Sequence, residues 1–254
     1  MMRSIDLNCD MGEAFGNYPM PNDELLFDYI TSANIACGFH AGDPEVMQRT
    51  VKMAIQKGVA IGAHPGLPDL QGFGRRDIKI TASEAYQITL YQIGALYGFV
   101  RAAGGELHHV KPHGALYNMA AKDLNLANAI VQAMYDFDGK LILYALAGSK
   151  MIEAAGSLGV VTASEVFADR TYQDDGSLTP RSQSNALITD EEQSIHQVLM
   201  MVKQQEVISV NQKIIPLKAQ TLCLHGDGVH AVDFAQIINQ KLKQENISIK
   251  APTA

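Results

Sequence analysis

The sequence predicts a parallel β/α barrel of seven strands, and three observations predict it. Seven short apolar runs alternate with amphipathic stretches of helical period along the 254 residues; a chain of this length with that alternation folds as a parallel barrel or a doubly wound sheet. The runs stop at ionisable residues in turns rich in glycine and proline, as in NIACGFHAGDP (34–44) and GAHPGLPDLQGFGRR (62–76). Six of the seven runs end this way. An open sheet gathers its ligands at one switch point, whereas a barrel gathers them around a whole rim, so the spread favours the barrel.

Residues 1–10 form the first predicted strand. In SIDLNCD, strict alternation puts Ile5, Leu7 and Cys9 on one face and Asp6, Asn8 and Asp10 on the other, so the second face points into something polar. A short helix is expected over 21–30 and a second strand over 34–37. Asp43 and Pro44 supply an N-cap and a first-turn proline for the next helix, whose apolar face carries Val46, Thr50, Val51, Ala54 and Ile55, and Gly58 closes it. The third strand covers 59–64. TASE at 81–84 is a capping box for a long helix that ends at Gly104 and Gly105. A strand over 107–111, a helix over 123–135, a strand over 141–145, a helix over 150–155 and a strand over 160–165 follow. TDEE at 189–192 reads as a second capping box for a helix reaching 205, before a last strand over 221–224 and a closing helix over 229–242. Residues 208–217 read as a hairpin-like insertion. The connections 65–80 and 166–188 exceed ordinary loop lengths, which marks them as functional candidates. No repeat or linker interrupts the chain, so a single domain over 1–254 is expected.

Composition narrows the function. With 47% hydrophobic residues the chain can bury one large core, and with a formal net charge of −7 it is not a non-specific nucleic-acid binder. Anionic ligands must then be held by locally placed cations. Three cysteines without a CxxC pair suit a reducing, cytoplasmic setting. The longest apolar run, 141–147, is too short to span a membrane.

The candidate site residues are those collected at the strand ends: Asp10 and Glu13, His40 and Asp43, His64, Lys111 and His113, Asp169 and Arg170, and His225 with Asp227. In VKPHGALYN, period-two alternation sets His109, Lys111 and His113 on one side, a polar column running toward the barrel mouth. Singly, each has an ordinary explanation. Asp43 before a proline is a good N-cap, His64 could be a hydrogen-bonded turn residue, and buried cysteines are usually small core residues. His108, His196 and His230 fall at helical or opposite-parity positions and read as structural. Co-location of histidines, carboxylates, a lysine and an arginine on one rim is what the ordinary readings leave unexplained, and it points to an enzyme site. The chain has no GxxxxGK[ST] phosphate loop and no HExxH. If a metal resides here, Asp10, His40, Asp43 and His64 offer mixed nitrogen and oxygen ligands.

In LNCDMGEAFG, IACGFHAGDP, GAHPGLPDLQGFGRR, VKPHGALYN, EVFADRTYQDDGSLTPRSQ and CLHGDG, nearly end to end, the sequence resembles the LamB/YcsF family. The resemblance implies a TIM-like barrel of the glycoside hydrolase and deacetylase type. It also implies the A subunit of an ATP-dependent 5-oxoprolinase, which opens the lactam of 5-oxo-L-proline to L-glutamate together with the B and C subunits. ATP is then a co-substrate, with Mg2+ as the ion that would accompany it. On that chemistry Asp10, Glu13 or His64 would act as base and His113 or His225 as acid. Lys111 and Arg170 would hold anions beside Asp169 and Asp227, and Asp43 would orient His40. Two alternatives stay open: a metal-dependent deacetylase or hydrolase of the same barrel superfamily, and a non-catalytic subunit that binds a small carboxylate.

Overall fold

The structure, a computed structural model, describes residues 3–224 and 231–253. In chain order the elements are β1 (Ser4–Met11), α1 (Asp23–Leu26), β2 (Ser32–Ala36), α2 (Pro44–Lys57), β3 (Ala60–His64), α3 (Ala82–Ala102), β4 (Leu107–Val110), α4 (Gly114–Ala120) and α5 (Leu124–Asp138). Then follow β5 (Ile142–Leu146), α6 (Lys150–Leu158), β6 (Thr162–Phe167), α7 (Glu191–Gln204), β7 (Glu206–Ile208), β8 (Ile214–Pro216), β9 (Thr221–Leu224), α8 (Ala231–Gln244) and β10 (Ser248–Ile249). Strands β1 to β6 pair in sequence order, β6 pairs with β9, and β9 pairs back onto β1, all parallel. Seven strands thus close into the predicted barrel, with helices packed outside it.

Local chemistry accounts for most boundaries. Asp43 caps α2 by accepting the Val46 N–H, Pro44 fills the first turn, and Gly58 ends the helix at a left-handed φ of 66°. At α3 both halves of the capping box form: Thr81 Oγ1 accepts from Glu84 N, and Glu84 Oε2 accepts from Thr81 N. At α7 the expected box does not form. Asp190, as strong a cap as threonine, accepts from Gln193 N and starts the helix one residue later, which moves Glu192 out of the reciprocal position. The helix expected over 21–30 contracts to the single turn of α1. The insertion over 208–217 is the β7–β8 hairpin, which begins at Glu206. Two elements had no strong signal in the sequence: α4, a short helix that opens on a glycine, and β10, whose two residues extend the sheet beside Ser4 and Ile5.

The alternation in β1 sorts the barrel into two environments. Leu7, Cys9 and Met11 join the buried apolar layer between strands and helices. Asp6, Asn8 and Asp10 face the lumen, where the neighbouring strands add polar groups. Asp6 accepts from Thr31, Ser32 and Thr221 hydroxyls. Asn8 donates to Thr221 Oγ1, Asn34 donates to both Asn8 Oδ1 and Asp10 Oδ1, and His109 Nε2 bonds Asn34 Oδ1 at 2.8 Å. A hydrogen-bonded ladder therefore fills the lumen from Asp6 at the base to Asp10 at the mouth, and each buried polar group in it has a partner, as burial requires.

Candidate active site

The ladder ends on Lys111, which follows β4 and is 3% exposed. Its Nζ donates to Asp10 Oδ1 at 2.9 Å and Asn8 Oδ1 at 3.1 Å, contacts Cys223 Sγ at 3.2 Å, and pairs with Glu165 Oε1 at 2.8 Å. Glu165 sits inside β6, and its other oxygen accepts from Tyr117 of α4 at 2.6 Å. Burial by itself would neutralise Lys111, but the Asp10 carboxylate, the Cys223 sulfur and Glu165 hold its ammonium well above the ordinary lysine range. Burial likewise pushes Asp10 up, yet His64 and Lys111 outweigh it and keep the carboxyl well below the ordinary carboxylate range. Asp10 is thus a carboxylate held charged at the barrel mouth.

Around Asp10 stand the histidines. His64 ends β3, His40 lies in the turn after β2, and His113 precedes α4. The His40 and His113 rings stack with centroids 3.7 Å apart, and His64 meets both edge-on. His64 Nε2 faces Asp10 Oδ2 at 3.3 Å and His113 Nδ1 at 2.9 Å. Glu13 Oε1, in the turn after β1, lies 3.2 Å from His40 Nε2, 3.5 Å from His113 Nδ1 and 4.0 Å from His64 Nε2. Burial, with His113 and His64 nearby, pushes His40 well below the ordinary histidine range; burial and His64 bring His113 down to about 3. Both shifts favour the neutral rings.

The loop over 65–80 holds this stack from above. Phe73 adopts a left-handed φ of 55°, and its carbonyl accepts the His113 Nε2 proton at 2.8 Å while its ring packs on His40 and His113. Such a φ is strained for a bulky side chain and persists only where the surroundings fix it. Gly74 follows at φ 63°, where a Cβ would come within 2.7 Å of His40 Cβ. Asp69, buried, pins the turn through Arg76 and the Gly72 N–H.

The structure brings together Asp10, Glu13, His40, His64, Lys111 and His113. Asp10, His64, Lys111 and His113 open onto a cavity of about 870 Å³ that is also lined by Arg75, Tyr117, Lys122, Arg170 and Arg181. Two expectations, on Asp43 and Asp169, are corrected. Asp43 does not orient His40: its two oxygens accept the Val46 and Gly16 N–H groups, and His40 turns to Glu13 instead. His113 Nε2 bonds the Phe73 carbonyl, and its Nδ1 faces His64 Nε2. Asp169 does not line the cavity. Arg170 does, although it donates to the Ala186 and Thr179 carbonyls and so also ties the 166–188 loop together. His225 and Asp227 lie outside the described residues. Sequence reasoning missed Glu165, whose signal was a carboxylate within an apolar strand, and Tyr117. Of the metal candidates named, His40 and His64 belong to the group whose ligand atoms lie within 4.8 Å of one another, and its other members are Glu13 and His113. That group could hold an ion, and Asp10 and Asp43 are not members of it.

The family model for LamB/YcsF matches residues 5–254. The chain belongs to the LamB/YcsF family. Chains named as the A subunit of 5-oxoprolinase are similar to this family member over nearly their full length. The one from Geobacillus kaustophilus is 59% identical over 251 residues, covering 99% of this chain and 98% of the relative. That from Brevibacillus brevis is 57% identical over 250 residues, covering 98% of each. The crystal structure of a lactam utilization protein from Thermus thermophilus superposes with a TM-score of 0.93 at 41% identity, covering 98% of this chain and all of that one. A T48 deacetylase solved with substrate shares the barrel at a TM-score of 0.50 and 13% identity, over 98% of this chain and 87% of that one, a likeness of fold alone.

Proposed function

We propose that this chain, a single β/α-barrel domain over 1–254, is the A subunit of an ATP-dependent 5-oxoprolinase and opens the lactam of 5-oxo-L-proline to L-glutamate. The observation that carries the reading is the identity of 57–59% with chains of that name over nearly the whole length. The site supports it chemically. A lactam is a resonance-stabilised amide, and phosphorylating its oxygen makes the ring carbon electrophilic. Water must then lose a proton as it adds, the ring nitrogen must gain one as the C–N bond breaks, and the phosphate must be stabilised as it leaves. Asp10, charged and hydrogen-bonded to Lys111, faces His64 at the floor of the cavity and is placed to take the proton from water directly or through that ring. Arg75, Lys122, Arg170 and Arg181 surround the opening and suit a carboxylate and a phosphate, which the net charge of the chain would otherwise repel.

ATP enters this reading as co-substrate, and the B and C subunits as the partners that complete it. The 254 residues contain no phosphate-loop motif, while the long loops over 65–80 and 166–188 border the cavity where another protein of the complex could pass an activated ring without exposing it to water. Cytoplasmic location fits the three buried, unpaired cysteines. The test is glutamate release from 5-oxoproline by the chain with the B and C subunits, with and without ATP. ATP-dependent glutamate is expected from the complex; its absence from a correctly assembled complex would refute the reading.

A further inference from the structure

We infer that Glu13, His40, His64 and His113 form a binding site for a borderline transition-metal ion such as Zn2+, and not for Mg2+. The inference stands apart from the lactam reading, because it follows from how the hydrogen atoms must be arranged. His64 Nδ1 lies 2.6 Å from the Lys111 carbonyl oxygen, and His113 Nε2 lies 2.8 Å from the Phe73 carbonyl oxygen. A carbonyl only accepts, so each ring places its proton there. When both rings are neutral, the other two nitrogens, His64 Nε2 and His113 Nδ1, face each other as bare lone pairs 2.9 Å apart. Two acceptors at hydrogen-bond distance repel unless something positive lies between or beside them. That repulsion is relieved by a second proton on His64, which would also face Asp10, or by a bound cation.

Among the described residues, His40 Nε2 can donate to Glu13 Oε1 at 3.2 Å, and no donor is directed between His64 Nε2 and His113 Nδ1. Glu13 Oε1 approaches His40, His113 and His64 at 3.2, 3.5 and 4.0 Å, and Asp10 Oδ2 stands 3.3 Å from His64. Lys111, the nearby cation, points its Nζ at Asn8, Asp10, Glu165 and Cys223. The centre is therefore a buried group of three imidazoles and a carboxylate, with His64 and His113 each held by a backbone carbonyl behind it. That is the outer-shell arrangement which fixes the tautomer and aim of metal-bound imidazoles. Tetrahedral Zn2+ at about 2.0–2.1 Å from nitrogen sets its ligand atoms about 3.3–3.4 Å apart. The contacts of 2.9, 3.2, 3.5 and 4.0 Å bracket that spacing within a group whose ligand atoms all lie within 4.8 Å of one another. Binding turns His40 out of its parallel stack on His113 so that both rings aim at the ion.

The donor set selects the ion. Three imidazoles and one carboxylate suit Zn2+ and its first-row neighbours, whereas Mg2+ demands an octahedron of oxygens. The Mg2+ that would accompany ATP does not fit here. When bound, a borderline ion supplies Lewis acidity and a lowered water pKa beside Asp10.

The experiment uses the full chain, stripped with a chelator and shown to be folded by circular dichroism, titrated with Zn2+ by calorimetry and with Co2+ by visible absorption. One equivalent of Zn2+ is expected, with Co2+ giving the intense bands of a low-coordinate nitrogen site and excess Mg2+ failing to compete. His113→Asn and Glu13→Gln should each weaken Zn2+ binding by about a hundredfold or more, beyond the loss seen for outer-shell changes. Asp43→Asn, which keeps a good N-cap, should leave it unchanged. If His113→Asn does not fold, imidazole nitrogen NMR of the unmodified chain replaces it, with the His64 and His113 resonances expected to shift on adding Zn2+. No stoichiometric Zn2+ uptake by the folded chain, a single proton shared between His64 and His113 that Zn2+ does not displace, uptake indifferent to both substitutions, or effective competition by Mg2+ would each overturn the inference.

Discussion

Lys111 joins the buried Glu165 to the part-buried Asp10, and its removal would leave both without their lysine ammonium. Its side chain is 4% exposed, that of Glu165 0% and that of Asp10 19%. Breaking a buried pair by deleting one partner costs about 3–5 kcal/mol, so Lys111→Met should lower the unfolding free energy by roughly that amount in urea denaturation. Glu165→Gln added to it should restore part of the loss, and strictly additive effects in the double-mutant cycle would mean that the pair is not coupled. The same contacts decide what the sequence could convey here. The parity of His109, Lys111 and His113 located the ammonium, but the partners that occupy it come from β1 and β6, which only the closed barrel brings together. The histidines give a second expectation. His113 titrates at about 3 in the folded chain against 6.5 when exposed, and His40 is displaced in the same direction. Between those values the unfolded chain binds more protons, so the stability these neutral rings confer is complete above pH 6.5 and drains away as pH falls towards 3. Thermal melts of the metal-free chain should decline through that window, and a flat profile would contradict neutral, buried rings.

The decisive element is the loop over 65–80, which fixes the histidine stack through backbone strain. A Cβ on Gly74 would meet His40 Cβ at 2.7 Å and His113 Cδ2 at 2.9 Å, at a φ that a side chain rarely adopts. Gly74→Ala is therefore expected to cost about 1–3 kcal/mol and to lower activity more than stability alone explains, measured as kcat against residual folded fraction. A variant with unchanged kcat would show that the stack tolerates displacement. GFGRR was legible as part of a turn rich in glycine and proline, and the excess length of the connection marked it as a functional candidate. That Phe73 rather than a glycine takes a left-handed φ was not legible, since its conformation is imposed by His113 and His40 from other parts of the chain. Elements with their own local chemistry were read well: the Asp43 cap, the Thr81 capping box and the alternating β1 each carry the reason for their structure in adjacent residues. The short α4 and β10 do not, because tertiary contacts hold them in place.

At the scale of the whole molecule, the barrel supplies a polar lumen, a charged mouth and a cavity, while the motif for delivering a γ-phosphoryl group is missing from its sequence. The isolated chain should then produce little or no ADP from ATP in the presence of 5-oxoproline, and adding the B and C subunits should restore coupled turnover. Stoichiometric ADP and glutamate from the chain alone would place the nucleotide in this barrel instead. The central claim is narrower: the lactam is opened at Asp10 and His64. Glutamate release by the reconstituted complex, carrying Asp10→Asn in this chain or the unmodified chain, tests it most directly. The substitution keeps the shape of the side chain and removes the charge that faces His64. The expected result is a loss of at least about a hundredfold in kcat, the scale of a lost general base, with assembly of the complex intact. Near-normal glutamate release by the Asp10→Asn complex would contradict it.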